Sequence, residues 1–315
     1  MKIVKLGFAV LLALITALTI IFWTPDTTFE DMNRKYGGGA SQFIDLNGGD
    51  RLHYRDQGNR NKPALVFIHG TSASLHTWEP LIDNLERDYR LISFDLPGHG
   101  LTGARQDRTY SLDVMVESVW RLLDHLKIHS ATLVGNSLGG AVAWASALDN
   151  PNRVKSLVLL APSGAPKNSP AKSNIGFKIL KTSIGQAIIK KISPRSIIKA
   201  SLYQTVAVSE IVTEEMVDRY WELLRLEGNR QAMIDLANTA RDPDEWQELS
   251  NIAVPTMIVW GEEDNVLPVT MIVTFDTEIE NVNVIRLKNV GHLPMEEAVN
   301  AVSEAIVGFC GSIQC

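Results

Sequence analysis

Short, unbroken apolar runs alternate along this chain with longer stretches whose apolar residues recur at helical spacing. Ala64 to Ile68, Arg90 to Phe94, Ala131 to Val134, Ser156 to Leu160, Thr256 to Trp260 and Asn283 to Leu287 have the length and composition of strands. His76 to Arg87, Leu112 to Leu126 and Ser137 to Ala147 carry the helical period between them. Strands buried on both faces read as continuous apolar runs, so the alternation predicts an α/β fold: a mostly parallel sheet with helices on both faces. Ahead of it, Ser41 to Leu46 and Arg51 to Tyr54 flank turn-forming Asn47-Gly48-Gly49-Asp50 and predict a hairpin. After Ala161-Pro162-Ser163-Gly164 the strand pattern stops until about Ile252. An all-helical insertion at the active-site end of such a sheet is expected to be a cap that shapes a pocket and excludes water. The expected organisation is an N-terminal segment over 1–27, a core in two parts over 28–164 and 253–315, and a cap over 165–252.

The N-terminal segment has its own pattern. Lys2 and Lys5 precede an uncharged apolar stretch, Leu6 to Trp23, and then Thr24-Pro25-Asp26. Its 18 residues approach the ~20 needed to span a bilayer. A signal peptide usually has an apolar region of about 7–15 residues and a small-residue cleavage site. No such site precedes Trp23. The expectation is a single uncleaved membrane anchor with an extracytoplasmic catalytic domain, although Arg34 and Lys35 weaken the charge asymmetry. Secretion after signal cleavage is the alternative.

Composition narrows the function classes. With 315 residues, 45% of them hydrophobic, the chain can bury a large core. A net charge of −6 argues against general nucleic-acid binding. No Cys/His cluster has metal-ligand spacing and no Gly-rich phosphate loop is evident, so neither metal nor cofactor is expected. Charge is unevenly distributed: Ala165 to Ser209 contains Lys167, Lys172, Lys178, Lys181, Lys190, Lys191, Arg195 and Lys199 and no acid. Phe177, Leu180, Ile184, Ile188 and Ile192 recur there at helical spacing. Such a basic amphipathic helix either packs over the site with its lysines in water or lies on an anionic membrane. Cys310 and Cys315 are either a small terminal disulfide loop or two plain thiols.

Candidate chemistry sits at the strand ends. Gly135-Asn136-Ser137-Leu138-Gly139 follows an apolar run and opens an Ala-rich helix, which puts Ser137 at a sharp strand-to-helix turn. A helix N-cap is the plain alternative for that serine. A serine hydroxyl needs an imidazole as general base, and the imidazole needs a carboxylate to fix its tautomer. Both follow later strands: Gly261-Glu262-Glu263-Asp264 and Asn289-Val290-Gly291-His292. The assignment is Ser137 as nucleophile, His292 as base and Asp264 as acid, with Glu262 or Glu263 as alternative acids. The loop His69-Gly70-Thr71-Ser72 offers the Thr71 amide which, with that of Leu138, could form an oxyanion hole. His69 is then structural, orienting the loop.

These motifs together, with Asp95-Leu96-Pro97-Gly98-His99-Gly100, resemble the α/β-hydrolase superfamily over roughly residues 40 to 310. The resemblance implies the same triad and the same two oxyanion donors, and a structural role for His99 at a turn that shapes the site mouth. A serine at the elbow departs from the haloalkane dehalogenases and soluble epoxide hydrolases, which carry aspartate there. The resulting expectation is a serine hydrolase cleaving small to medium apolar carboxylic esters, like capped esterases and lipases. The alternatives are carbon–carbon bond hydrolysis of a vinylogous diketone, whose enzymes usually carry a glycine-rich loop after His-Gly, and a non-catalytic hydrolase-fold ligand receptor.

Overall fold

The computed structural model describes residues 22–46, 49–166, 175–180, 182–239, 242, 244–313 and 315. The expected anchor up to residue 21 lies outside the described residues, as do Asn47 and Gly48 of the hairpin turn and Lys167, Lys172 and Lys181 of the basic segment. No helix among the described residues is long and apolar enough to cross a membrane.

Eight strands form one sheet in the order β1-β2-β4-β3-β5-β6-β7-β8. They are β1 (Ser41–Asp45), β2 (Arg51–Gly58), β3 (Ala64–Ile68), β4 (Arg90–Phe94), β5 (Ala131–Asn136), β6 (Val154–Leu160), β7 (Thr256–Gly261) and β8 (Val282–Leu287). The β1–β2 and β2–β4 pairs are antiparallel and every other pair is parallel. A short helix, α1 (Phe29–Met32), precedes the sheet, capped by the Thr28 hydroxyl accepting from the Asp31 N–H.

The continuous apolar runs are explained by helices on both faces. Val66, Ile68, Leu133, Leu157, Leu159 and Ile258 point into one buried cluster, while Leu65, Phe67, Val134, Val158 and Val259 point into another. The first is covered by α3 (Leu112–His125), α4 (Leu138–Asp149) and α10 (Ile272–Glu278), through Val119, Ala141 and Phe275 among others. The second is covered by α2 (Glu79–Leu85) and α12 (Val299–Ile313), through Leu81, Leu85, Val302 and Ile306. Every residue of β5 is buried, so the strand carrying the serine turn has no edge from which to slip. The expected helix at His76 starts instead as a 3-10 turn, Leu75–Trp78, before α2. Cys310 and Cys315 are joined in a disulfide at the end of α12.

Between β6 and β7 the described residues hold five α-helices and no strand: α5 (Ile175–Leu180), α6 (Ser183–Ile189), α7 (Arg195–Thr205), α8 (Glu214–Leu224) and α9 (Asn229–Asn238). The single amphipathic helix expected from Phe177 to Ile192 is broken in two. Thr182 is extended (φ −119°, ψ 140°), and its hydroxyl accepts from the Gly185 N–H to start α6 as a separate helix. The basic segment is also less unopposed than its own sequence suggests. Lys191 pairs with Asp26, Arg195 with Asp218 and Glu214, and Lys199 with Glu214, all acids from outside Ala165 to Ser209.

Candidate active site

Ser137 stands between β5 and α4 with φ 54° and ψ −115°, a conformation that non-glycine residues rarely adopt. The turn closes only because its neighbours lack side chains. A Cβ on Gly135 would lie 2.2 Å from the Gly139 carbonyl oxygen, and one on Gly139 would lie 2.0 Å from that of Ile68. The serine is therefore held in a strained turn at the mouth of the helix, not capping it: its side chain makes no cap hydrogen bond. Leu138 is the first residue of α4, where backbone N–H groups lack intrahelical acceptors and the helix dipole is positive.

The structure brings His292 and Asp264 together. His292 Nδ1 lies 2.7 Å from Asp264 Oδ2, and both residues are buried. Asp264 Oδ1 accepts from the N–H groups of Val266 (2.8 Å) and Leu267 (2.9 Å), which fixes the carboxylate plane and leaves Oδ2 for the imidazole. With Nδ1 donating to that carboxylate, Nε2 is the nitrogen left to accept a proton. Glu262 and Glu263, the alternative acids, are exposed.

Ser137, His292, Thr71 and Ser72 line one cavity of about 370 Å³. Its remaining wall is mainly aliphatic, with Leu180, Ile188, Ile189, Ile192, Ile197 and Leu202 contributed by the helical insertion. Ser72 has φ 64°, so the loop after His69 is also held in a left-handed turn. That loop is anchored from behind. His69 is fully buried; its Nε2 accepts from the Leu96 N–H (2.9 Å) and its Nδ1 donates to the Gly70 carbonyl (2.8 Å). Asp95 accepts from the Leu75 and Leu101 N–H groups (both 2.7 Å) and from His53 Nδ1 (2.7 Å). His99 packs edge-on against His69 at 5.2 Å and donates from Nδ1 to the Pro97 carbonyl. Burial lowers the pKa of both: His69 below the usual imidazole range and His99 to about 3. Neither is among the residues that line the cavity.

Two residues that the sequence did not single out hold the histidine loop. Asn136 Nδ2 donates to the carbonyls of Leu160 (3.0 Å) and His292 (3.1 Å), tying that loop to the serine turn. Glu297, at the end of α11 (Pro294–Glu297), accepts four backbone N–H bonds. Oε2 takes those of Gly291 (2.9 Å), Ala207 (2.7 Å) and Val208 (3.1 Å), and Oε1 takes that of Leu293 (3.1 Å). Gly291 and Leu293 flank His292, and Ala207 and Val208 follow α7, so one carboxylate fastens the histidine loop to the insertion. The His292 N–H adds a bond to the Thr205 carbonyl (3.0 Å). Only the adjacency of Glu297 to His292 hinted at this, and acids near a histidine are too common to be informative.

An elbow serine, a carboxylate-bound histidine and a pocket at the carboxyl end of a parallel sheet define a hydrolase site. Residues 63–299 match the family of the alpha/beta hydrolase fold, and the chain belongs to it. The human monoacylglycerol lipase ABHD6 is 27% identical over 266 residues, covering 80% of this chain and 77% of that one. A 2-hydroxy-6-oxononadienedioate/2-hydroxy-6-oxononatrienedioate hydrolase of Burkholderia vietnamiensis is 28% identical over 269 residues, covering 82% and 90%. Among solved structures, a membrane phospholipase A shares the fold with a TM-score of 0.76 at 22% identity, over 100% of this chain and 99% of that one. The protein is a hydrolase.

Proposed function

We propose that this hydrolase is a membrane-anchored serine esterase acting on apolar carboxylic esters, with the insertion over 165–252 as its cap. The observation that carries the reading is the aliphatic cavity that has Ser137 and His292 in its wall. Ser137 Oγ attacks the ester carbonyl carbon as its proton passes to His292 Nε2, and Asp264 stabilises the imidazolium. The amides of Thr71 and Leu138 hold the oxyanion. His292 then protonates the departing alcohol, and water, deprotonated by the same nitrogen, hydrolyses the acyl-enzyme.

The similarity to the dioate hydrolase supports a second reading, carbon–carbon bond hydrolysis. Its named substrates carry two carboxylates. Among the described residues the cavity wall holds one arginine, Arg230, which is already paired with Asp26, so the apolar ester is the better fit. Membrane attachment rests on the apolar stretch Leu6 to Trp23 and on what lies where it ends. Phe22, Trp23, Ile184 and Ile188 are exposed, and Lys191 sits over the Trp23 ring at 5.8 Å. Aromatic and basic residues of this kind favour a bilayer interface.

Labelling with a fluorophosphonate tests the serine, and a panel of esters of increasing acyl length on the same preparation tests the substrate. Labelling of Ser137 with turnover of apolar esters is expected. A folded protein that neither labels nor cleaves any ester overturns the proposal, and cleavage of vinylogous diketones alone would favour the second reading.

A further inference from the structure

Residues Phe22 to Thr28 lead from the end of the N-terminal apolar stretch towards the sheet, and the helical insertion holds them by hydrogen bonds from Thr24 to Thr27. The Thr24 N–H donates to the Lys191 carbonyl (2.9 Å), and the Thr24 hydroxyl accepts from the Ser193 N–H (2.9 Å). The Pro25 carbonyl accepts from Arg225 Nε (2.9 Å). Thr27 forms a parallel bridge with Leu226: its N–H donates to the Arg225 carbonyl (2.8 Å), and its carbonyl accepts from the Glu227 N–H (3.1 Å). A tether that needed only reach would gain nothing from fixing the four residues Thr24 to Thr27, because ordering backbone costs entropy.

What this ordering builds is cavity wall. Phe22 lines the cavity while 46% exposed, which places its ring at the boundary between cavity and exterior. Thr24 fixes the turn after α6 whose Ile192 and Pro194 also line it. Arg230 is 3% exposed and lines the same cavity. Its Nη1 donates to Thr24 Oγ1 (3.1 Å) and Ser193 Oγ (3.0 Å), and its Nη2 pairs with Asp26 Oδ1 (2.5 Å). A buried guanidinium beside an aliphatic cavity is tolerated only while its charge is matched, and Asp26 is the carboxylate paired with it.

We propose that Phe22 to Thr28 is part of the acyl-binding wall, with Phe22 as a lining ring and Asp26–Arg230 as its lock, and that it sets the preference for long over short acyl chains. The inference rests on the ester reading above. Removing the ring withdraws apolar contact from a long chain and none from an acetyl group. Removing the Asp26 charge leaves Arg230 unmatched beside the chain and loosens the segment.

The test uses the full chain in detergent with Phe22→Ala, Phe22→Leu and Asp26→Asn. Two readouts are taken: the ratio of kcat/KM for dodecanoyl and acetyl esters of one alcohol, and the rise in melting temperature on adding dodecanoate, which needs no turnover. Labelling of Ser137 by a small fluorophosphonate normalises each variant for intact sites. Phe22→Ala should lower the ratio on the order of tenfold, as expected for lost apolar contact in a pocket. Phe22→Leu should restore most of it, and Asp26→Asn should shift ratio and melting response the same way as Phe22→Ala. Ratios for Phe22→Ala and Asp26→Asn within about twofold of the original, the scatter of neutral surface substitutions, with an undiminished dodecanoate response, overturn the proposal. Should no ester be cleaved and no label be taken up, the ester reading fails. The dodecanoate response then decides: loss in Phe22→Ala supports the wall, and an unchanged rise overturns it.

Discussion

Glu297 never faces the cavity, yet its replacement should reduce turnover. In Glu297→Gln the side-chain oxygen can take the place of Oε2 and keep the bonds from Gly291, Ala207 and Val208. The amide NH2 then confronts the Leu293 N–H, one donor left without its acceptor. That costs about 1–3 kcal/mol. Glu297→Ala strips all four donors, and because Ala207 is exposed and rehydrates, the loss should be roughly 3–5 kcal/mol and not the full sum. The two donors flanking His292 matter most for rate, since a misplacement of about 1 Å in a catalytic group costs about 10²-fold. We expect kcat on an acetyl ester to fall about tenfold in the Gln variant and about a hundredfold in the Ala variant, with KM little changed. The pH–rate profile should keep its shape, because Glu297 positions the proposed base, His292, without itself exchanging protons with substrate. Steady-state kinetics paired with urea unfolding separates the two effects. Variants that stay folded at the assay temperature and retain the original kcat would refute the positioning argument.

Other outcomes follow from the same geometry. Ser137→Ala should lose on the order of 10³-fold or more in kcat and all fluorophosphonate labelling while its circular dichroism is unchanged; retained labelling would reassign the nucleophile. Asp264→Asn should depress turnover strongly by favouring the wrong imidazole tautomer, whereas Glu262→Gln and Glu263→Gln, both exposed, should have little effect; a severe loss in either Gln variant would move the acid. Burial holds His76 at about 4 and His99 at about 3, below the ordinary 6.5. The unfolded chain therefore takes up these protons first, and stability should fall as pH drops from about 6.5 towards 4; urea midpoints that rise or stay flat across that window would contradict the burial argument. Full-length protein should sediment with membranes and resist carbonate extraction, while a chain lacking residues 1–21 but keeping Phe22 to Thr28 should be released and still cleave short esters; an intact full-length chain in the soluble fraction would remove the anchor.

Much of the fold and of the candidate site was legible in the sequence because it depends on local pattern. The strands at Ala64, Arg90, Ala131 and Thr256 begin where the sequence pattern places them, since a strand covered on both faces is apolar along most of its length. The serine turn was equally visible, because Gly135 and Gly139 are demanded by backbone contacts within a few residues and across to β3. Asp264 and His292 announced themselves by following strands, and Asp264 was assigned there with Glu262 and Glu263 as alternatives; the 2.7 Å contact with His292 is what sets it apart from them in space.

What remained hidden was every feature made by residues far apart in the chain. The stripe from Phe177 to Ile192 satisfied helical spacing, yet Thr182 caps a second helix in its middle, and local side-chain capping outweighs periodicity over so short a span. Charge counted along Ala165 to Ser209 said nothing of Asp26, Glu214 and Asp218, which neutralise part of it in space. Glu297 gathering four amides from two segments, and Arg230 joining Asp26 and Thr24 to the cavity wall, leave no periodic trace. The sequence by itself determined the sheet, the strained serine turn and the order of the three catalytic candidates, because each rests on neighbours in the chain. Only the tertiary structure decided which acid meets the histidine, what holds that histidine in place and which segments enclose the cavity, because those depend on distances that close only when the chain has folded.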